Sequence, residues 1–188
     1  RKISVVDSFQ VKQDDQLFLL AFIKVICTEW DPETYLIPMT WLSNEQAQAM
    51  ADRHPLAIIS ALALGDTEGI LCDAIYFEEF RTLLLGVIRG RTKVHGASGA
   101  QLAGLRGSSL KNISSPMSEL FPSRVAAVEQ NNTSILFGDL LLFKMYRKLE
   151  EGINPEPEIL QFLAGKHRFR NVPAYAGIAA VDVYLGAT

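Results

Sequence analysis

The hydrophobic pattern opens in strands. Ile3 to Val11 and Gln16 to Thr28 are rich in apolar residues and flank a polar turn, Lys12-Gln13-Asp14-Asp15. After the polar break Glu29 to Pro32, a third run from Thr34 to Leu42 completes an antiparallel meander. Ser43-Asn44-Glu45-Gln46 is a capping box, which predicts a short helix that runs out before Pro55. Ala57 to Leu64 and Ile70 to Phe77 flank the turn formers Gly65 to Gly69 and predict a second hairpin. Phe77, Phe80, Leu84, Val87 and Ile88 then recur at helical spacing, giving an amphipathic helix that ends near Gly90.

From 91 to 122 Gly, Ser and Ala accumulate, and the segment reads as a linker with room for a short strand. His95-Gly96-Ala97-Ser98-Gly99 is glycine-rich but lacks the Gly-x-x-x-x-Gly-Lys-Ser/Thr spacing and the strand-to-helix context of a phosphate loop. Beyond Ser123 the strand pattern returns at Val125 to Glu129, Thr133 to Phe137 and Leu140 to Leu149. Asn131-Asn132 makes the first turn, and Gly138-Asp139 the second, with Gly138 supplying the φ such turns need. Asn154 as N-cap and Pro155 at the first helical position open a helix that Gly165 ends. Ile159, Phe162 and Leu163 are its expected buried face. The fold class is α+β: an antiparallel sheet with helices on one face over residues 1–90, the linker 91–122, and a second antiparallel sheet with one helix over 123–188.

Composition narrows the function classes. Apolar residues make up 48% of the chain and charged residues 21%, which is ordinary globular usage. A formal net charge of -3 gives no basic footprint, so nucleic acid is not an expected partner. The longest apolar runs, Leu17 to Cys27 and Ala57 to Leu64, fall short of the ~20 residues of a membrane helix, so no membrane partner is expected. Cys27 and Cys72 could form one disulfide but read more readily as small buried hydrophobes, and neither has a His or Cys neighbour at metal spacing, so no metal site is expected. Asn-x-Ser/Thr triplets at Asn112, Asn131 and Asn132 carry little weight without a signal peptide. Arg1 stands where a natural chain has Met, so the segment is expected to be a piece of a longer protein.

Lys144 is the odd residue of the third strand, flanked by Leu140 to Phe143 and by Met145. Alternation places Leu142, Lys144 and Tyr146 on one face and Leu141, Phe143 and Met145 on the other. An amine there needs an anion, because an unpaired buried charge is costly. An edge-strand lysine that discourages strand pairing fits the same pattern, and spacing alone leaves both readings open. The helix that follows begins with Glu156 and Glu158, where its dipole favours carboxylates. Glu158, four residues before Phe162, lies along the edge of the expected buried face and can point toward the sheet, although a helix N-terminal carboxylate with no catalytic role fits the same position. A strand lysine held by a helix glutamate is how kinase-like enzymes neutralise the α- and β-phosphates of ATP.

The run from Glu129 to Asp139 (Glu-Gln-Asn-Asn-Thr-Ser-Ile-Leu-Phe-Gly-Asp) and its continuation from Phe143 to Glu158 resemble the signature of bacterial maltokinases. Phe169-Arg170-Asn171-Val172-Pro173 extends the match. Glu33 to Met39 and Asp73 to Arg81 look, more loosely, like the N-terminal cap domain of the same family. These enzymes phosphorylate maltose at its reducing end with ATP and also occur fused to trehalose synthase.

The resemblance implies a cap domain over 1–90 and a partial kinase N-lobe over 123–188. It implies that Asn132, Thr133 and Ser134 form the loop over the ATP phosphates, that Lys144 binds those phosphates and that Glu158 is its partner. ATP and Mg²⁺ would be the cofactors of the full-length parent and maltose its substrate, in the cytoplasm, with trehalose synthase a partner by fusion or complex. In that family the base and the Mg²⁺ ligands lie in the C-lobe. No catalytic residue is therefore expected in this chain, which would be inactive alone and hold no tightly bound nucleotide. A non-catalytic interaction or regulatory module of a trehalose synthase fusion, or another aminoglycoside-phosphotransferase-like small-molecule kinase, are the alternatives.

Overall fold

The computed structural model describes residues 1–90, 93–111, 122–128, 131–150, 152, 154–165, 169 and 171–181. The chain is α+β and its strands pair antiparallel throughout. The predicted meander is present as β1 (Lys2–Gln13), β2 (Gln16–Ile26) and β3 (Glu33–Ser43). Asp14 takes a positive φ of 52° in the tight β1–β2 turn, a conformation that Asp tolerates better than most residues. Helix α1 (Asn44–Arg53) starts behind Ser43 as the capping box predicts. The two box side chains meet each other, however, with Ser43 Oγ donating to Gln46 Oε1 at 3.5 Å.

The second hairpin is β4 (Ile58–Ala61) and β5 (Gly69–Asp73), and β5 pairs with β3. Its second strand is shorter than the apolar run suggests. Asp73 accepts from the Ile75 N–H at 2.9 Å and turns the chain into a 3-10 turn at Ala74–Tyr76, from which α2 (Glu78–Ile88) departs. The buried ring cluster explains why α2 lies where it does. Phe80 packs on Phe18 with ring centroids 5.4 Å apart, and Phe9 packs on Phe22 at the same separation. Each such ring, fully buried, stabilises the fold by roughly 1.5–3 kcal/mol.

The segment expected to be a linker holds β6 (Val94–His95), β7 (Gln101–Arg106) and the short α3 (Ser108–Lys111) among its described residues. Val94, Leu102 and Leu110 are core residues, so the packing does not break at residue 90. The small residues that made the stretch look like a tether serve a close crossing. A Cβ on Gly104 would run into the Val87 carbonyl and lie 2.5 Å from Ile88 Cα of α2. β7 also pairs with β12 (Gly177–Val181), from the far end of the chain. Residues 112–121 and 182–188, including Asn112, lie outside the described residues.

The third sheet is β8 (Ser123–Val128), β9 (Asn132–Phe137) and β10 (Leu141–Tyr146) in the order β10-β9-β8. Gly138 has the expected positive φ, 52°, in the β9–β10 turn. The long strand expected to reach Leu149 breaks at Arg147. Its last two residues form β11 (Lys148–Leu149), which joins β3 by pairing with Tyr35 and Thr34. One buried cluster accordingly takes in Phe9, Phe18 and Phe80 together with Ile135, Phe137, Met145 and Val181.

Candidate functional site

The candidate site lies on the outer face of the third sheet. Side chains directly opposite each other in an antiparallel pair share a face. Lys144 is paired with Ser134, Tyr146 with Asn132, and Leu142 with Leu136. Met145 and its partner Thr133 face the core, where Thr133 is 0% exposed. The faces predicted for β10 are thus the ones observed.

Helix α4 (Pro155–Gly165) brings a carboxylate to this face. Asn154 caps it as predicted, its side-chain oxygen accepting from the Glu156 N–H at 3.0 Å. The carboxylate that reaches Lys144 is that of Glu156, and this corrects the expectation for Glu158. Lys144 Nζ donates to Glu156 Oε2 at 2.8 Å and to Oε1 at 2.9 Å. Helical residues two positions apart point about 200° apart around the axis, so Glu156 and Glu158 cannot both face one sheet. The rotation of α4 decides between them. Pro157, Leu160, Leu163 and Ala164 are its half-buried residues, whereas Ile159 and Phe162, expected to be buried, are 56% and 51% exposed. Glu156, four residues before Leu160, lies on that half-buried side of the helix, although Glu156 and Glu158 are themselves both exposed.

Tyr146 completes the cluster and was not singled out by the sequence beyond its place on the face. Its hydroxyl donates to Glu156 Oε2 at 2.8 Å, and the Lys144 ammonium lies 5.5 Å from its ring centroid. The hydrogen bond from Lys144, and then that from Tyr146, hold the Glu156 carboxyl below its ordinary value. Burial, and then the bond to Glu156, push the Tyr146 phenol far up, so it stays a neutral donor. The Lys144 and Glu156 side chains are 34% and 55% exposed. An ion pair that exposed contributes only about 0–1 kcal/mol by itself.

Asn132, Thr133 and Ser134 are strand residues of β9, not a loop. The Thr133 side chain is fully buried on the core face, where its hydroxyl accepts from Arg147 Nε at 2.9 Å, so it does not lie on the face that carries Lys144. Ser134 and Asn132 remain half-buried on the outer face beside Lys144 and Tyr146. The β8–β9 connection falls at 129–131, of which Asn131 is described; its carbonyl accepts from the Arg147 N–H at 2.6 Å.

Arg147 is the second residue the sequence did not mark. Its Nη2 forms an ion pair with Asp73 Oδ2 at 2.7 Å, with the two side chains 12% and 18% exposed. Lys148 is paired with Glu33 at 2.7 Å, and Tyr35 also donates to Glu33. Arg81, 6% exposed, donates to Ser123 Oγ and O, each at 2.8 Å, and to the Ile75 carbonyl at 2.9 Å. The Arg147 and Lys148 pairs fasten the end of the Lys144 strand to the first sheet, and Arg81 fastens α2 to β8. The 96–99 turn between β6 and β7 is likewise committed, since Ser98 donates to Asp7 through both N–H and Oγ.

The face can neutralise an anion at Lys144 and present the apolar Leu142 and Leu136 next to it. Among the described residues, no three His, Cys, Asp or Glu groups gather as a metal site. No helix among the described residues is long and apolar enough to cross a membrane. A scan against models of known protein families finds none that matches this chain.

Proposed function

We propose that this chain supplies the nucleotide-phosphate end of an ATP-dependent sugar kinase of the maltokinase type, which transfers a phosphoryl group from ATP to the reducing end of maltose in the cytoplasm. The observation that carries the proposal is the clamp of Lys144 on β10 by Glu156 at the start of α4, with Nζ to Oε2 at 2.8 Å. A strand lysine held by a helix carboxylate is the arrangement that presents an ammonium to the α- and β-phosphates. The signature resemblance from Glu129 to Glu158 supports the same assignment. Leu142, 67% exposed on the same face two residues earlier, offers the apolar surface that a purine ring needs. Ser134, cross-strand from Lys144, is in place to donate to a phosphate oxygen. Mg²⁺ and the base that orients the sugar hydroxyl are assigned to the parent enzyme's C-lobe.

The test is ATP-dependent formation of maltose 1-phosphate by the complete gene product, with glucose and an aminoglycoside as competing acceptors. The Lys144→Ala variant should lose at least a hundredfold in kcat/KM, roughly 2.7 kcal/mol of transition-state stabilisation. Full activity in that variant, or transfer to the aminoglycoside alone, would reject the proposal.

A docking module of a trehalose synthase fusion is the second reading. The apolar surface near β4, with Leu56 93% and Leu64 51% exposed, favours it, because exposed apolar patches of this kind mark interaction sites. Retention of trehalose synthase binding in a kinase-dead Lys144→Ala protein would establish that role separately.

A further inference from the structure

We infer that Tyr146 is a positioning residue of the phosphate-anchoring site: its hydroxyl fixes the Glu156 carboxylate, and the fixed carboxylate in turn aims the Lys144 ammonium. The inference deepens the kinase reading and rests on it for its meaning, but its first experiment does not depend on ATP.

Lys144 and Glu156 both have long side chains, and both are substantially exposed. A pair of that kind gives up rotamer freedom in two side chains for a weak attraction screened by water, so it does not define one geometry. Tyr146 has only two side-chain torsions and a half-buried ring, which makes its hydroxyl a fixed post. That hydroxyl and the Lys144 ammonium meet on the same atom, Glu156 Oε2, each at 2.8 Å. Glu156 Oε1 takes the second lysine bond at 2.9 Å. The Tyr146 ring also lies beside the ammonium, 5.5 Å from centroid to Nζ. The three side chains therefore form a closed figure in which the tyrosine is the member with the least freedom. A phosphate arriving at Lys144 can draw the ammonium across while the carboxylate stays bonded to Tyr146.

The experiment is limited acetylation of the folded chain with acetic anhydride, with the rate at each lysine read by mass spectrometry. Lys148, whose partner is Glu33, serves as the internal reference. Tyr146→Phe should raise the Lys144 rate three- to tenfold and leave Lys148 unchanged. Glu156→Gln should raise it at least as much. Tyr146→His, which keeps a ring with a donor, should restore part of the protection. An unchanged Lys144 rate in Tyr146→Phe would overturn the inference, and so would equal rates in the Phe and His variants. In the complete gene product Tyr146→Phe should raise KM for ATP several-fold while kcat falls less. If the unmodified protein proves not to use ATP, the kinase reading fails, and the acetylation rates still decide the role of Tyr146.

Discussion

Arg147 Nη2 lies 2.7 Å from Asp73 Oδ2, and this pair bridges the end of β10 and the end of β5 across 74 residues of sequence. Both partners have a second task. Asp73 Oδ1 caps the turn at Ile75, and Arg147 Nε donates to the buried Thr133 hydroxyl. The position follows from β3, whose one edge is shared by β5 at Met39–Ser43 and by β11 at Thr34–Tyr35. The two side chains meet near the junction between those pairings. Lys144, three residues before Arg147, is thereby held against the first sheet.

Removing one partner should cost more than a surface pair does. Asp73→Asn and Arg147→Met are each expected to destabilise the fold by about 2–4 kcal/mol, because a largely buried charge is left without its partner. Arg147→Lys should recover little of this, since a single ammonium cannot reach the hydroxyl and the carboxylate in the arginine's fork geometry. Urea midpoints measure it, and a loss below about 0.5 kcal/mol in both single variants would remove the bridge from the account.

The helix carboxylate assignment separates two neighbouring residues. Glu156→Gln should weaken nucleotide binding by the complete gene product several-fold more than Glu158→Gln does, as read by calorimetric titration of MgATP. The reverse order would mean that α4 presents its other face when nucleotide is bound.

Gly104→Ala tests the crossing of β7 over α2. The added methyl group meets backbone atoms of Val87 and Ile88, which cannot swing aside as a side-chain tip can. Overpacking of this kind costs about 1–3 kcal/mol. Thermal denaturation should show a clear drop, whereas Gly99→Ala has open space around it and suffers only from its positive φ of 92°.

The acid side of the stability profile should report the two carboxylate clamps. Glu156 is held below the ordinary 4.5 first by the bond from Lys144, and Glu33 is held below 4.5 first by the bond from Lys148. A carboxyl with a lowered folded-state value binds protons more weakly than it does in the unfolded chain. Its stabilisation is therefore complete above 4.5 and is lost as pH falls through the lowered value. Denaturant midpoints from pH 7 down to pH 3 should decline below 4.5, and more shallowly in Glu156→Gln. An identical decline in that variant would exclude Glu156 as a contributor.

The sequence by itself determined the local structure. Turn chemistry at Asp14, Gly138 and Asn154 and the apolar runs of β1, β2, β3, β9 and β10 depend on neighbours in the chain, and those elements form where the pattern puts them, except that β10 breaks at Arg147. It also put Lys144 and Tyr146 on one face, because strand alternation allows nothing else. The tertiary structure decided what the pattern left degenerate. In α4, Ile159, Leu160, Phe162, Leu163 and Ala164 are all apolar, so more than one face qualifies as buried and only packing selects the rotation that presents Glu156. Likewise, nothing local to Arg147 or Asp73 announces a partner 74 residues away. That pair exists because β11 and β5 share an edge of β3, and a long-range pairing of this sort is written in no single stretch of the chain.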